Sequence, residues 1–356
     1  PSARNSIPKI ACDSTIFRPA NLGGIARPKP FLAFWLHLTA IGLVASGAWA
    51  APGGKFISAP DRFDIVHDSS RKILYISAGS SVLRYDLEIE GFRQPFELGG
   101  ALKGIDLSPD GNLLAVADSS YTATQNWIHL IDLRDGSSRK ASFDLLPGLE
   151  NGTFAVAFGF DGTVLVTGSG PRPPMRLYHS ISGQATRLGN VGENTLLRAS
   201  GDRRVIGFSE GAGSSAPLNL FNVETRLPGR GSAFDGLSFD LSVNKNGTQF
   251  AGINFQGVIL FDGDYRQVGK IGGIGGNGPV GLAYHPTRDA VFFAWGGSQE
   301  VRAHNTADLK EIARFVVDDR FDFPSALSTR SGRMRLSQDG ALVFVLVKNG
   351  IAWFAH

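Results

Sequence analysis

The sequence predicts an all-β fold, a ring of seven four-stranded antiparallel blades, and three observations carry that prediction. Short polar turns recur seven times after residue 60: Asp68-Ser69-Ser70-Arg71, Pro109-Asp110-Gly111, Phe160-Asp161-Gly162, Gly201-Asp202-Arg203, Lys245-Asn246-Gly247, Pro286-Thr287-Arg288 and Gln338-Asp339-Gly340. They end at residues 71, 111, 162, 203, 247, 288 and 340, so the period is 40 to 52 residues, the length of one propeller blade. Between the turns lie apolar runs such as Leu113–Ala117 and Ala341–Val347, continuous enough to be strands covered on both faces. The composition agrees: 45 glycines and only 19% charged residues suit tight hairpins better than helices.

Each blade is read from the centre outward. Blade one has Phe63–His67 as inner strand, then Lys72–Ser77, Val82–Asp86 and Phe92–Leu98. Blade two follows with Leu102–Ser108, Leu113–Ala117, Trp127–Asp132 and Lys140–Asp144, and blade three with Phe154–Gly159, Val164–Gly168, Arg176–His179 and Ala185–Leu188. Further sets start near Leu196, Ser238, Val280 and Arg333. The Asp-Gly and Asn-Gly pairs supply the positive φ that tight hairpins require. Blade seven runs out after its third strand, Ile351 to His356, which would leave a bare edge. Lys55–Ala59 is a short strand with no other place and is expected to close the ring non-covalently.

Residues 1–50 read as a leader and residues 51–356 as the propeller domain. Arg27 and Lys29 precede the apolar run 31–45, and Ala48-Trp49-Ala50 follows, the order of a secretory signal peptide (31–50) cleaved after Ala50. The apolar stretch is long enough to be weighed as a membrane anchor, but Ser46, Gly47 and the small-residue site favour cleavage, with no stable membrane insertion afterwards. The leader holds five of the 35 basic residues and one of the 32 acidic ones, so the remainder is nearly neutral. Nothing then argues for a nucleic-acid surface, which would need clustered Lys and Arg. The one cysteine, Cys12, also lies in the leader, so the mature part forms no disulfide and no thiolate metal site. A periplasmic or secreted protein is expected.

Val291–Ile312 resembles the YVTN-type repeat of exported bacterial propellers in its apolar strand, Gly-Ser turn, second strand and Asn-Thr-Ala-Asp turn. Leu113–Gly136 and Ile73–Gly91 are looser copies, whereas the Gly-His and Trp-Asp pairs of WD40 repeats are missing. The resemblance implies a rigid seven-bladed scaffold. Relatives of this architecture include sugar lactonases, amine dehydrogenase heavy chains and binding proteins, so it leaves the activity open.

The sequence offers little chemistry of its own, and no cofactor or metal set is expected. Third strands are read as ending in Asp86, Asp132, His179, Asn222, Asp262 and His304, a recurrent polar position suited to capping the next turn. His179 and His304 are therefore read as turn residues. His67 and His285 are expected beside the short turns, and no histidine pair has zinc spacing. Gly168-Ser169-Gly170 is no nucleophile elbow, and the Gly-rich run 271–278 lacks a phosphate loop's Lys and helix. The carboxylates between strands, Glu150, Glu193, Glu210, Asp235 and Asp318-Asp319, are read as solvated.

Loop length gives the better signal. Connections between second and third strands are long in blades two to four, Asp118–Asn126, Ser169–Pro174 and Ser209–Pro217. They would form one asymmetric rim presenting Tyr121, Gln125, Asn126, Trp127, Arg172 and Glu210 to a protein or small ligand. A binding protein is expected, the alternative being a lactonase-type hydrolase or periplasmic oxidoreductase subunit.

Overall fold

A computed structural model describes residues 54–211, 217–229, 231, 238–272, 278–321 and 332–356. Residues 1–50, expected as a leader with a signal peptide, lie outside the described residues. Seven sheets, each of four strands, account for the secondary structure, and among the described residues there is no helix. Within each of blades one to six the four strands pair in chain order, antiparallel throughout. Blade seven combines Met334–Leu336, Leu342–Val347 and Gly350–Ala355 with Lys55–Ser58, which pairs antiparallel with the last of these.

Second strands are almost wholly buried, as their unbroken apolar sequences require: Ile73–Ala78, Thr163–Gly168 and Ala290–Trp295 are buried at every position. Outer strands such as Ala185–Asn190 are mostly exposed. The apolar core accordingly divides into clusters that lie between successive blades. At the closure, Ile57 packs with Ile65, Leu74, Leu346 and Ile351, joining blades one and seven.

Antiparallel order gives the ring two unlike faces. One, the turn face, carries the connections between first and second strands and between third and fourth. The seven recurrent turns lie there, six of them begun by a capping side chain at the end of the inner strand and the one in blade three by Gly159. The Ser108, Ser200 and Ser337 hydroxyls accept the backbone N–H of Leu113, Val205 and Leu342 at 2.8–3.2 Å. In blade six the ring of His285 takes that role, its Nδ1 accepting from Arg288 N at 3.0 Å. The other, the loop face, carries the second-to-third connections and the links between blades.

Third strands end on the expected polar position with one correction. Asp86, Asp132, Asn222 and Asp262 each accept a backbone N–H of the following turn. In blade six Asn305 does so, accepting from Ala307 N at 2.8 Å, because Asn305 and not His304 pairs with the first residue of the preceding strand. One residue earlier, His304 lies on the opposite side of the strand, its ring tilted by 36° against that of Phe293, with Nδ1 2.7 Å from the Leu309 carbonyl. His179 holds the matching place in blade three, where backbone bonds to Gly183 and Gln184 close the turn.

Candidate functional site

The segment 118–126, expected as a loop, is mostly strand. Leu113–Tyr121 and Gln125–Asp132 form a hairpin that outruns the other second strands, with Tyr121 paired to Asn126 and a tip of three residues. Thr122 fixes the tip: its N–H donates to the Gln125 carbonyl at 2.8 Å, and its hydroxyl accepts from Gln125 N at 3.0 Å. The polar run Asp118-Ser119-Ser120 suggests a loop because burial of its carboxylate is invisible without the partners.

Those partners come from two strands and from the link before blade two. Asp118 is 0% exposed and accepts four hydrogen bonds, from Ala101 N and Ser120 N at 2.9 Å, Trp127 Nε1 at 2.8 Å and His129 Nε2 at 2.9 Å. Burial pushes its pKa up, but the bonds from His129, Ala101, Ser120 and Trp127 outweigh it and hold the carboxyl well below the usual carboxylate range. Asp118 is thus ionised, and the His129 Nε2 must carry the proton it donates. Gly100, at φ +79°, lets the preceding link pass over this carboxylate, since a Cβ there would sit 2.1 Å from Asp118 Oδ2.

A second cluster holds the other side of the hairpin. Glu150 is 2% exposed and forms a bidentate ion pair with Arg176, itself 2% exposed. Its oxygens also accept from Leu146 N at 2.7 Å and Asn126 Nδ2 at 3.1 Å, and Asn126 Nδ2 lies 2.7 Å from the Asn151 carbonyl. The expectation that Glu150 is solvated is therefore wrong: the link between blades two and three folds inward around it. Thr153, the first residue of blade three, joins the clusters, its hydroxyl accepting from Asp118 N at 2.8 Å and donating to the Trp127 carbonyl at 2.7 Å.

The six rim residues separate into three groups. Tyr121, half exposed, and Gln125 stand at the hairpin tip, and exposed Arg172 joins the same neighbourhood through its N–H, bonded to the Leu149 carbonyl at 2.9 Å. Leu149 is itself exposed. Asn126 is 0% exposed and belongs to the Glu150 cluster, while Trp127 is half-buried between Asp118 and Lys140, whose Nζ sits 4.2 Å from the ring centroid. These two support the tip and leave its surface to their neighbours. Glu210 is turned inward, accepting Gly192 N at 2.9 Å, and residues 212–216 of its loop lie outside the described residues, as does Asp235. Sequence reasoning missed Asp118, His129, Glu150 and Arg176. The alternation Trp127-Ile128-His129, which puts two polar-tipped rings on one side of a strand, is the signal that could have found the first pair.

Carboxylates also converge on the central channel, where they latch blades together. Asp64 and Asp240, both on inner strands, each accept the N–H of their own following residue and one from the next blade, Ile105 N at 3.2 Å and Leu282 N at 3.1 Å. Asp106, one residue before the end of its inner strand, reaches Phe158 N at 2.8 Å. Each also has an arginine: Arg335 for Asp64, Arg203 for Asp106, Arg198 for Asp240, at 2.8–3.0 Å. Burial raises the Asp240 carboxyl against the pull of Arg198. These lone pairs are already committed, and among the described residues no group of three His, Cys, Asp or Glu is placed to hold a metal ion.

No family model matches the sequence, and no curated protein matches it. Among solved structures, one similar chain is from the hydrazine synthase of Kuenenia stuttgartiensis, at 14% identity and a TM-score of 0.62, covering 86% of this chain and 99% of that one. At that identity the likeness concerns the propeller fold.

Proposed function

We propose that this propeller is an exported binding protein whose partner, a protein or a small ligand, contacts the loop face over blades two and three. The observation that carries this reading is the supported hairpin tip. Two buried ionic clusters, Asp118 with His129 and Trp127, and Glu150 with Arg176 and Asn126, hold an element that the ring does not need for closure. Buried charge is costly unless fully paired, so such an arrangement is better suited to presenting Tyr121, Gln125 and Arg172 than to adding stability. An aromatic and an arginine on a rigid support are favoured contact residues.

The alternative is a propeller enzyme of hydrolase or periplasmic oxidoreductase type. Against it stand the channel carboxylates, each engaged by an arginine and by backbone N–H groups. The test compares cross-linked partners of the tagged protein in envelope extracts with those of the Tyr121→Ala, Arg172→Ala double variant and of Ser108→Ala. A partner lost only from the double variant supports the rim, whereas one retained by all three moves the site elsewhere.

A further inference from the structure

An asparagine followed by glycine exposes its side-chain amide to attack by the next backbone nitrogen, because no side chain shields that nitrogen. Three such pairs lie in the described residues: Asn151-Gly152, Asn246-Gly247 and Asn349-Gly350. Their surroundings differ. Backbone clamps two of them, since a Cβ on Gly152 would meet the Ser119 carbonyl at 2.2 Å and one on Gly350 the Ile57 carbonyl oxygen at 2.0 Å. The nearest atoms to a Cβ on Gly247 belong instead to the Val205 side chain, which can turn aside.

Asn246 also stands where four other blades carry aspartate. Asp110, Asp161, Asp202 and Asp339 each precede the left-handed residue of their turn, as Asn246 precedes Gly247 at φ +74°. In all four, one carboxylate oxygen accepts a hydroxyl and the backbone N–H two residues on. The turn is thus shaped for an acidic side chain. Asn246 keeps part of the pattern: its Oδ1 accepts the Thr248 hydroxyl at 2.8 Å, and that hydroxyl accepts Asn244 Nδ2 at 3.1 Å. A side chain bonded two residues on bends over the Gly247 nitrogen between them. That nitrogen is loosely held, 3.4 Å from the Asn244 carbonyl, and the Asn246 side chain is open to water.

We propose that Asn246 is a site of spontaneous deamidation, which converts the turn of blade five to the aspartyl turn of the other blades. The Gly247 nitrogen attacks Asn246 Cγ and gives up its proton. The Cγ–Nδ2 bond breaks, and the amide nitrogen takes that proton and leaves as ammonia. Thr248 stabilises the charge developing on Oδ1, and Asn244 polarises the Thr248 hydroxyl. Water then opens the cyclic imide at either carbonyl. Opening at the side-chain carbonyl's original place gives aspartate at this position; opening at the backbone carbonyl gives the isoaspartyl linkage. Water is consumed, ammonia is released and the chain gains one negative charge. The isoaspartyl product lengthens the backbone where Gly247 packs on Val205 of blade four. The site lies on the turn face and does not depend on the rim.

The full chain is incubated at neutral pH and followed by peptide mapping with mass spectrometry, beside a sample unfolded in urea. In the folded chain Asn246 should convert faster than Asn151 and Asn349, yielding both aspartyl and isoaspartyl peptides. In urea the three pairs should convert at similar rates. Thr248→Val, which removes an exposed hydroxyl and keeps its shape, should slow Asn246 about fivefold, the effect of one neutral hydrogen bond. The same variant should convert like the wild type in urea. Asn246→Asp should keep the wild-type Tm, because the turn accepts the product. Equal rates at the three pairs in the folded chain, an unslowed Thr248→Val, or a lowered Tm in Asn246→Asp would each overturn the proposal.

Discussion

The turn face and the loop face of blades two and three solve the same problem in opposite ways. Both must satisfy polar backbone where strands end. On the turn face this is done locally: in blades two, four and seven one short side chain, Ser108, Ser200 or Ser337, accepts the backbone N–H five residues on. On the loop face of blades two and three, distant residues meet, with Ala101, Asp118, His129, Glu150, Thr153 and Arg176 sharing two buried networks. Local caps are independent and each is worth little. Networks of buried charge fail together when one member is removed.

The largest effect should therefore come from the loop face. Arg176→Met removes the cation paired with buried Glu150, and is expected to cost about 3–5 kcal/mol, read by chemical denaturation. A loss under about 1 kcal/mol would mean that the pair is solvated like a surface one.

On the turn face the two histidines give a pH signature. Burial pulls His67 from 6.5 down to about 4, with Asp339 and Asp68 opposing it, and His285 likewise falls to about 4 through burial, Arg288 and His356. The unfolded chain binds these protons first, so stability is full above pH 6.5 and falls as pH drops toward 4. The slope contributed by each histidine is at most about 1.4 kcal/mol per pH unit. His67→Phe, which keeps a ring against Phe344, should flatten the denaturation midpoint between pH 6.5 and 4. An unchanged pH profile would show that His67 does not titrate in that window.

Smaller still, Ser337→Ala should cost about 1 kcal/mol by removing one cap, and its effect should add to that of Arg176→Met. Non-additivity beyond about 0.5 kcal/mol would break the contrast between independent and networked faces. Smallest of all, Tyr121→Ala and Arg172→Ala should alter stability by about 0.5 kcal/mol or less while weakening partner binding.

How much of this is legible in the sequence follows from the same contrast. The turn chemistry is local, so Asp110-Gly111, Asn246-Gly247 and Asp339-Gly340 announce the blades, and blade one's strands are placed to within a residue. His304 is misassigned by one position because register is set by pairing with Ala290–Trp295. The networks are long-range. Glu150 lies 26 residues from Arg176, and nothing between them shows that an acidic residue in a link will turn inward. The channel latches depend on blades brought together by ring closure, and Arg203 meets Asp106 from two blades away. Loop length singled out the segment 118–126, yet the hairpin's order comes from partners that lie in other strands.

Buried charge makes the hairpin tip a rigid platform, and amide hydrogen exchange is the sharpest test of that rigidity. In the wild-type protein the amides of residues 118–126 should exchange nearly as slowly as those of the second strands. In Arg176→Met they should accelerate by about a hundredfold or more, the scale set by about 3 kcal/mol of lost local stability, while the capped turns at Ser108 and Ser337 stay protected. Rapid exchange of 118–126 in the wild-type chain, matching that of an ordinary surface loop, would contradict it.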